Sequence, residues 1–361
     1  MRIAYFISPH GFGHAARACA AMTAISLHYP EAHFSIFTRV PQWFFERSLS
    51  GTANFSYHSL QTDVGFIQTT SMVEDYEGTL TALSEIYPLR ESVTREVAST
   101  LQKQNVALSI CDISVLGIEA ATLASIPSVL IENFTWDWIY SGYSDVAPRF
   151  QYFIDYLKPL YTRASLRIQT EPVSVREDAA AVIPPLARPL RAAPGEIRKQ
   201  LVIPEEAPAI LCTMGGVPGD FPFLSQLGKH KGIYFILAGT EPSTTLPKNV
   251  RAIPHASPLY HPDLVAAADA VVGKLGYSTV AEAYYGRTQF LYLPRPRFSE
   301  SAIMEEFVSK ELNGKAIEAI AFETGAWLAD LHHLLESPEE GAISIGESYD
   351  QLVDALQVVM P

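Results

Sequence analysis

Two doubly wound, parallel-sheet α/β domains facing each other across a cleft are the fold this sequence predicts, and three observations lead there. The chain has 361 residues, about twice a typical domain of roughly 150. Short β-rich apolar runs alternate with longer helical patterns in both halves, as parallel strands covered by helices on both faces require. Between the halves, Pro172, Pro184, Pro185, Pro189 and Pro194 interrupt regular structure. That stretch reads as the last strand of the first domain running into a linker.

In order, Ile3 to Ser8 reads as a strand, followed by a glycine turn, a helix from about His14 to His28 and a strand from Phe34 to Thr38. Further on come a strand from Val106 to Cys111, a helix from Val115 to Ala124 and a strand from Ser128 to Glu132. Ile126-Pro127 separates the last two, because proline does not continue a helix. The second half begins with a strand from Ala209 to Thr213 and a Gly-rich turn. Strands follow at Ile233 to Leu237 and Val250 to Ile253, then a short helix at Asp263 to Ala268 and a strand at Ala270 to Val272. A helix from Ser278 to Tyr285, a strand from Gln289 to Leu293, a helix from Ala302 to Glu311 and two final helices complete the pattern. The expected domains are residues 1–190 and 191–345, with a helix in 346–361 returning toward the first.

Composition narrows the function. With 39 acidic and 26 basic side chains the formal charge is −13, which repels phosphate backbones and anionic lipid surfaces. Nucleic acid and stable membrane insertion are therefore not expected, and an anionic ligand needs a local exception built from backbone N–H groups and chosen cations. Cys19, Cys111 and Cys212 lie far apart without metal-ligand spacing, and read as buried reduced thiols. The amino terminus lacks the apolar core of a signal peptide, and no run reaches the length of a membrane helix. A cytoplasmic location is the expectation.

The first chemical motif is Ser8-Pro9-His10-Gly11-Phe12-Gly13-His14-Ala15-Ala16-Arg17. It lies at the carboxyl end of a strand, where doubly wound sheets hold ligands, so His10, Gly11, Gly13 and His14 are candidates. Gly11-x-Gly13-x-x-Ala16 also matches a dinucleotide fingerprint, but the second strand ends at Thr38-Arg39 without an acid for the ribose, leaving only an NADP reading through Arg39. A metal reading of His10 and His14 lacks a nearby third ligand. The plainer alternative makes His14 a helix cap.

Asp112 follows another predicted strand end and could pair with His14: a carboxylate on one imidazole nitrogen fixes the tautomer and leaves the other as a base. Its alternative is an N-cap of the next helix. After the strand ending at Glu132 come Asn133, Trp136, Asp137 and Trp138, an aromatic and polar group suited to a sugar acceptor or to packing. In the second half Gly215 and Gly216 offer bare N–H groups. Gly273-Lys274-Leu275-Gly276-Tyr277-Ser278-Thr279-Val280-Ala281-Glu282 runs from strand end through a turn into a helix. Its helix N-terminus and Lys274 suit an anion, and Glu282 two adjacent ribose hydroxyls. The spacing is not that of a Walker motif, and the plainer alternative is a Ser-capped helix.

These residues resemble the GT-B glycosyltransferases, including the plant small-molecule UDP-glycosyltransferases. His10 to Arg17, Asn133 to Tyr140, Ile183 to Arg191 and Gly273 to Glu282 are similar to the GT-B-like N-terminal portion of plant L-arabinokinase. The resemblance spans nearly the whole chain and does not include that protein's kinase half. It implies the GT-B fold, His14 as general base and Asp112 as its partner. The family's donor motif, His-x-Gly-Trp-Asn-Ser-x-x-Glu, falls on Lys274, Gly276, Tyr277, Ser278, Thr279 and Glu282, and Glu300 lies near the family's acid for the transferred sugar. Lysine replaces the phosphate-contacting histidine at 274. The uracil-stacking Trp-x-Pro-Gln is absent, with Ile253-Pro254-His255 in that region.

The function so implied is inverting transfer of a sugar from a nucleotide diphosphate sugar, UDP-linked by analogy, to a soluble acceptor. It requires no metal and no cofactor beyond the nucleotide sugar. The alternatives are a nucleotide-sugar epimerase or hydrolase, or a non-catalytic sugar-nucleotide-binding protein. Neither the sugar, the acceptor nor the oligomeric state follows from the sequence.

Overall fold

The computed structural model describes residues 1–70, 72–215, 221–243, 245–254, 257–331, 335 and 343–360. The chain divides into two compact units: the first comprises Met1–Arg188, Arg297–Glu300 and Ile345–Pro361, and the second Pro189–Pro296 and Ser301–Ser344.

The first unit is built on a seven-stranded sheet of β1 (Arg2–Ile7), β2 (His33–Thr38), β3 (Asn54–Ser59), β6 (Leu108–Asp112), β7 (Ser128–Glu132), β8 (Leu166–Thr170) and β9 (Ala181–Ile183), in the order β3-β2-β1-β6-β7-β8-β9. Every pairing in it is parallel. A two-stranded antiparallel ribbon, β4 (Gln68–Thr70) and β5 (Val73–Glu74), lies apart from it. Successive strand residues point to opposite faces, and the central strands feed two apolar layers accordingly. Ile3, Tyr5, Ile7, Leu108, Ile110, Val129 and Ile131 enter one layer, while Ala4, Phe6, Cys111 and Leu130 enter the other.

The helix Gly13–His28 is buried from His14 to Ser26. Its alanines leave room on one side for the sheet and on the other for the helix Ile345–Leu356, whose Tyr349, Leu352, Val353 and Leu356 complete the same layer. The Tyr349 hydroxyl donates to Ala187 O at 2.8 Å, tying that helix to the end of the unit's first segment.

The second unit carries a six-stranded, wholly parallel sheet of β10 (Ala209–Thr213), β11 (Tyr234–Ala238), β12 (Val250–Ile253), β13 (Ala270–Lys274), β14 (Gln289–Leu293) and β15 (Lys315–Ala316), in the order β12-β11-β10-β13-β14-β15. Gly273, at the end of β13, has φ +155°, and a Cβ there would stand 1.8 Å from Thr213 O on β10. Only glycine lets the two strand ends run this close.

Several elements are additions to the pattern above. They include β3, β8 and the helices Gln42–Ser48, Tyr76–Ile86, Glu91–Lys103 and Phe150–Tyr161. The strand expected at Val106 to Cys111 instead runs from Leu108 to Asp112, so Asp112 ends it. The helix expected at Asp263 to Ala268 lies at His261–Ala266. All three cysteines are free and buried, and burial pushes the Cys111 thiol up to about 12. No helix among the described residues is long and apolar enough to cross a membrane.

Candidate active site

The turn after β1 brings His14 to the end of β6, where His14 Nδ1 meets Asp112 Oδ1 at 2.7 Å. Arg17 stands three residues further along the same helix, hence on the same face. Its Nε donates to Asp112 Oδ2 at 2.8 Å and its Nη2 to Asp112 Oδ1 at 2.7 Å, a two-pronged grip on one carboxylate. Arg17 Nη1 donates to Asn133 Oδ1, and Asn133 Nδ2 donates to Glu300 Oε1 at 2.7 Å. Five polar side chains thus form one chain of bonds at the carboxyl ends of β1, β6 and β7, each 8% exposed or less.

Burial works to raise the Asp112 carboxyl, but the Arg17 charge and the hydrogen bonds from Arg17 and His14 overcome it and hold the group below its usual range. Asp112 is therefore an anion at neutral pH. It stabilises the His14 tautomer with hydrogen on Nδ1, so that Nε2 is the nitrogen able to take a proton.

The helix-capping alternatives are excluded by these bonds. Phe12 occupies the cap position of the first helix without a side-chain bond, while His14 is engaged by Asp112. Ser114, not Asp112, occupies the cap position of Val115–Ala124.

A second buried carboxyl lies close by. Ser8 Oγ donates to Asp63 Oδ1 at 2.7 Å. Asp63 Oδ2 and Trp136 Nε1 are both buried, and neither completes a hydrogen bond among the described residues. Burial pushes the Asp63 carboxyl up to about 8, against the influence of Ser8 and Trp136 and with a further push from the Asp112 charge. His10 Nδ1 accepts from the Phe66 amide at 3.3 Å. Gly65, at φ +66°, lies so near that a Cβ would meet His10 Cβ at 2.7 Å.

The aromatic block after β7 divides. Trp136 is 1% exposed; its ring lies 5.2 Å from His10 and 6.0 Å from His14 and stacks on Tyr140 at 5.8 Å. It backs the two histidines as a packed core residue, the packing alternative for that side chain. Asn133 belongs to the Arg17 network, whereas Asp137 and Trp138 line a separate cavity. Gly11 has φ +67° and Gly13 opens the helix; a Cβ on either would meet nothing within 4 Å.

In the second unit the turns lie at the corresponding carboxyl ends of β10 and β13. Gly215 has φ +76°, and its N–H donates to Thr213 Oγ1 at 3.3 Å. Gly216 and His255 lie outside the described residues. Lys274 ends β13, Gly276 occupies the cap position, and the helix runs Tyr277–Gly286, placing Tyr277, Ser278 and Thr279 in its first turn. Gly276 has an ordinary φ of −126°, and a Cβ there would meet open space. Glu282 is 4% exposed, and one of its oxygens, Oε2, is held by His261 Nδ1 at 2.7 Å.

Glu300, grouped by sequence with the donor residues, belongs to the first unit and bonds Asn133. Reasoning from sequence missed Arg17, Asp63, Ser8 and His261 as site residues. Arg17 had a readable signal, a full charge inside an alanine-rich apolar helix, which demands a buried counter-ion. Asp63 and His261 had none. Among the described residues, no group of three or more His, Cys, Asp or Glu side chains converges as a metal site.

Two all-parallel α/β units of this topology define the GT-B fold of glycosyltransferases, and solved structures agree. The spinosyn forosaminyltransferase SpnP superposes with TM-score 0.63 at 14% identity, covering 99% of this chain and 95% of that one. A UDP-glucosyltransferase from Polygonum tinctorium gives 0.61 at 13%, covering 99% and 93%. In sequence, the chain is 26% identical over 352 residues to L-arabinokinase of Arabidopsis thaliana, across 95% of this chain and 33% of that protein. It thus spans about a third of that relative's length. No family model matches the chain.

Proposed function

We propose that the chain is an inverting glycosyltransferase that moves a sugar from a nucleotide diphosphate sugar, UDP-linked, to a hydroxyl or amine of a soluble acceptor in the cytoplasm, without a metal. The observation that carries this reading is the His14–Asp112 bond, with the carboxylate locked by Arg17. Asp112 holds Nδ1, Nε2 takes the acceptor proton as the new glycosidic bond forms at the anomeric carbon, and the bond to the diphosphate breaks. The imidazolium so formed is stabilised by Asp112, which stays ionised throughout. Such general-base catalysis contributes about 10²–10⁴-fold.

The second unit takes the leaving group. Lys274 and the first-turn amides around Ser278 and Thr279 offer positive charge at a helix N-terminus, where a developing diphosphate anion is favoured. Gly215, Gly276 and Tyr277 border that anion site, Glu282 takes the nucleoside and Glu300 the sugar; Gly216 and His255, outside the described residues, are assigned to the diphosphate and the nucleoside from the sequence alone. His10, Gly11, Gly13, Asn133, Trp136, Asp137 and Trp138 belong to the acceptor side, with Trp136 acting through the two histidines that it backs. The SpnP and Polygonum tinctorium likenesses support sugar transfer as the reaction class; the absence of Gly-Lys-Ser/Thr in sequence gives no support to phosphoryl transfer through a P-loop.

The test is a thermal-shift panel of UDP-, GDP-, dTDP- and CMP-sugars on the wild type and on Lys274→Ala, followed by transfer assays with the donor found. We expect a UDP-sugar to raise Tm in the wild type and less in Lys274→Ala, and His14→Ala to lose about 10²–10⁴-fold in transfer rate. Undiminished transfer by His14→Ala would remove the dyad from the mechanism. Binding of a UDP-sugar followed by epimerisation or hydrolysis without an acceptor would replace transfer as the reaction.

A further inference from the structure

Asn133 is fully enclosed, at 0% exposure, so its part in the reaction runs through its neighbours. It directly follows β7, and the Ser174 N–H donates to Asn133 O at 2.8 Å, which sets its backbone. The side chain faces two opposite demands. Its Oδ1 accepts from Arg17 Nη1, and its Nδ2 donates to Glu300 Oε1 at 2.7 Å. A guanidinium only donates and an ionised carboxylate only accepts, so a neutral amide suits the place between them. The bond to Glu300 also fixes which way round the amide lies. Turned over, it would set its N–H groups against the guanidinium and its oxygen against the carboxylate.

Arg17 Nη2 lies 2.7 Å from Asp112 Oδ1 and also 3.3 Å from His14 Nδ1, while Nδ1 and Oδ1 stand 2.7 Å apart. Two arrangements of hydrogens compete for this triangle. In one, Nη2 and Nδ1 both donate to Oδ1, and the bare His14 Nε2 takes up a proton in the reaction. In the other, Nη2 donates to Nδ1, the ring hydrogen sits on Nε2, and the base is lost. The direction of the guanidinium plane decides between them. That plane is held at two further corners, by Nε on Asp112 Oδ2 at 2.8 Å and by Nη1 on Asn133. We infer that Asn133 is a positioning residue that keeps Arg17 on Asp112 and off His14 Nδ1, and thereby keeps His14 in the tautomer that works as a base. The inference rests on His14 as the base of the proposed transfer. Glu300, by fixing the amide, is the outer support of the same line of bonds.

The tautomer is read without any transfer reaction, by long-range proton–nitrogen correlation NMR of the neutral histidine rings in histidine-labelled protein, with His14→Gln identifying the His14 signals. The wild type should show hydrogen on His14 Nδ1. Asn133→Leu should move most of it to Nε2, whereas Asn133→Asp, which keeps an acceptor for Arg17 Nη1, should move little. The kcat for transfer should fall by the same factor as the fraction of rings with hydrogen on Nδ1, about ten-fold where one ring in ten keeps it, with KM for the nucleotide sugar unchanged. Hydrogen on Nε2 in the wild type, an unmoved tautomer in folded Asn133→Leu, or a fall in kcat without a shift of tautomer would overturn the assignment. A wild type that transfers nothing would remove the proposed function and leave the NMR result to decide this inference. Circular dichroism confirms folding, and Glu300→Leu, which frees the amide to turn over, supplies the NMR test if Asn133→Leu does not fold.

Discussion

Asp112 and Asp63 are both fully enclosed in the first unit, at 0% and 1% exposure, yet they ionise in opposite directions. Asp112 is gripped at both oxygens by a guanidinium and shared with an imidazole, and is held below the usual carboxylate range. Asp63 is met by neutral donors, the Ser8 hydroxyl and the Trp136 indole, and is pushed up to about 8. Burial is common to the two sites and so does not set the charge. The partner does, and a full cation is what separates a working anion from a neutral acid.

The largest break in that contrast is expected from Arg17→Met, which takes the guanidinium from the buried Asp112 carboxyl and leaves it the His14 imidazole. Removing one member of a buried pair costs about 3–5 kcal/mol, measurable as a drop in the urea midpoint at neutral pH. Stability should recover partly on acidification as Asp112 takes up a proton. An unchanged midpoint would show that Asp112 does not depend on Arg17.

Next comes the pH dependence. Asp112, with its pKa lowered on folding, contributes stability present above its unfolded value and lost as pH falls through the folded one. Asp63 has the opposite sign. Raised from 3.8 to about 8, it contributes fully below about pH 4, and that contribution is lost as pH rises toward 8, at up to about 1.4 kcal/mol per pH unit. Asp63→Asn should flatten the decline in stability between about pH 4 and pH 8 and leave the loss at lower pH to Asp112. Parallel profiles for the two proteins between pH 5 and 9 would contradict a neutral Asp63.

A smaller effect is expected from Ser8→Ala, which removes the hydroxyl that favours ionised Asp63. It should carry the loss that begins near pH 4 on to a higher pH before it levels off, and cost about 1 kcal/mol. In the second unit, His261→Ala leaves a buried Glu282 oxygen without its bond, at about 1–3 kcal/mol of stability or the equivalent in donor affinity. Thermal shifts with and without UDP separate the two.

The sequence was readable where one physical rule governed a segment. Continuous apolar runs gave β1, β7, β10 and β14 to within a residue or two, because a strand covered on both faces cannot be polar. Residues 42 to 105 were less legible. Strand β3 is half-buried and polar, NFSYHS, at the edge of the sheet, whereas Thr94, Val97, Ala98 and Leu101 stand at the i, i+3, i+4, i+7 spacing that marks the helix Glu91–Lys103 and was there to be read. In the site, His14 was visible because it follows the glycine turn after β1, and Asp112 because it stands at a strand end. Asp63 follows β3 by four residues, in a loop with no periodic pattern, and only the folded chain brings it to Ser8. The split of Trp136 from Trp138 depends on which face of a six-residue helix meets the core. Such a short stretch does not specify that face by pattern.

The helix Ile345–Leu356 completes the apolar layer around Met22 and Ile25, and this fixes a timetable. A ribosome that has made all of Met1–Arg188 must still make residues 189–344 before the last piece of the first unit emerges, on the order of 10–30 s at 5–20 residues per second. The unit begun first is therefore finished last. During that interval its exposed layer is a surface for chaperones to cover, and a nascent chain stalled in the second unit leaves the His14 helix without its outer support.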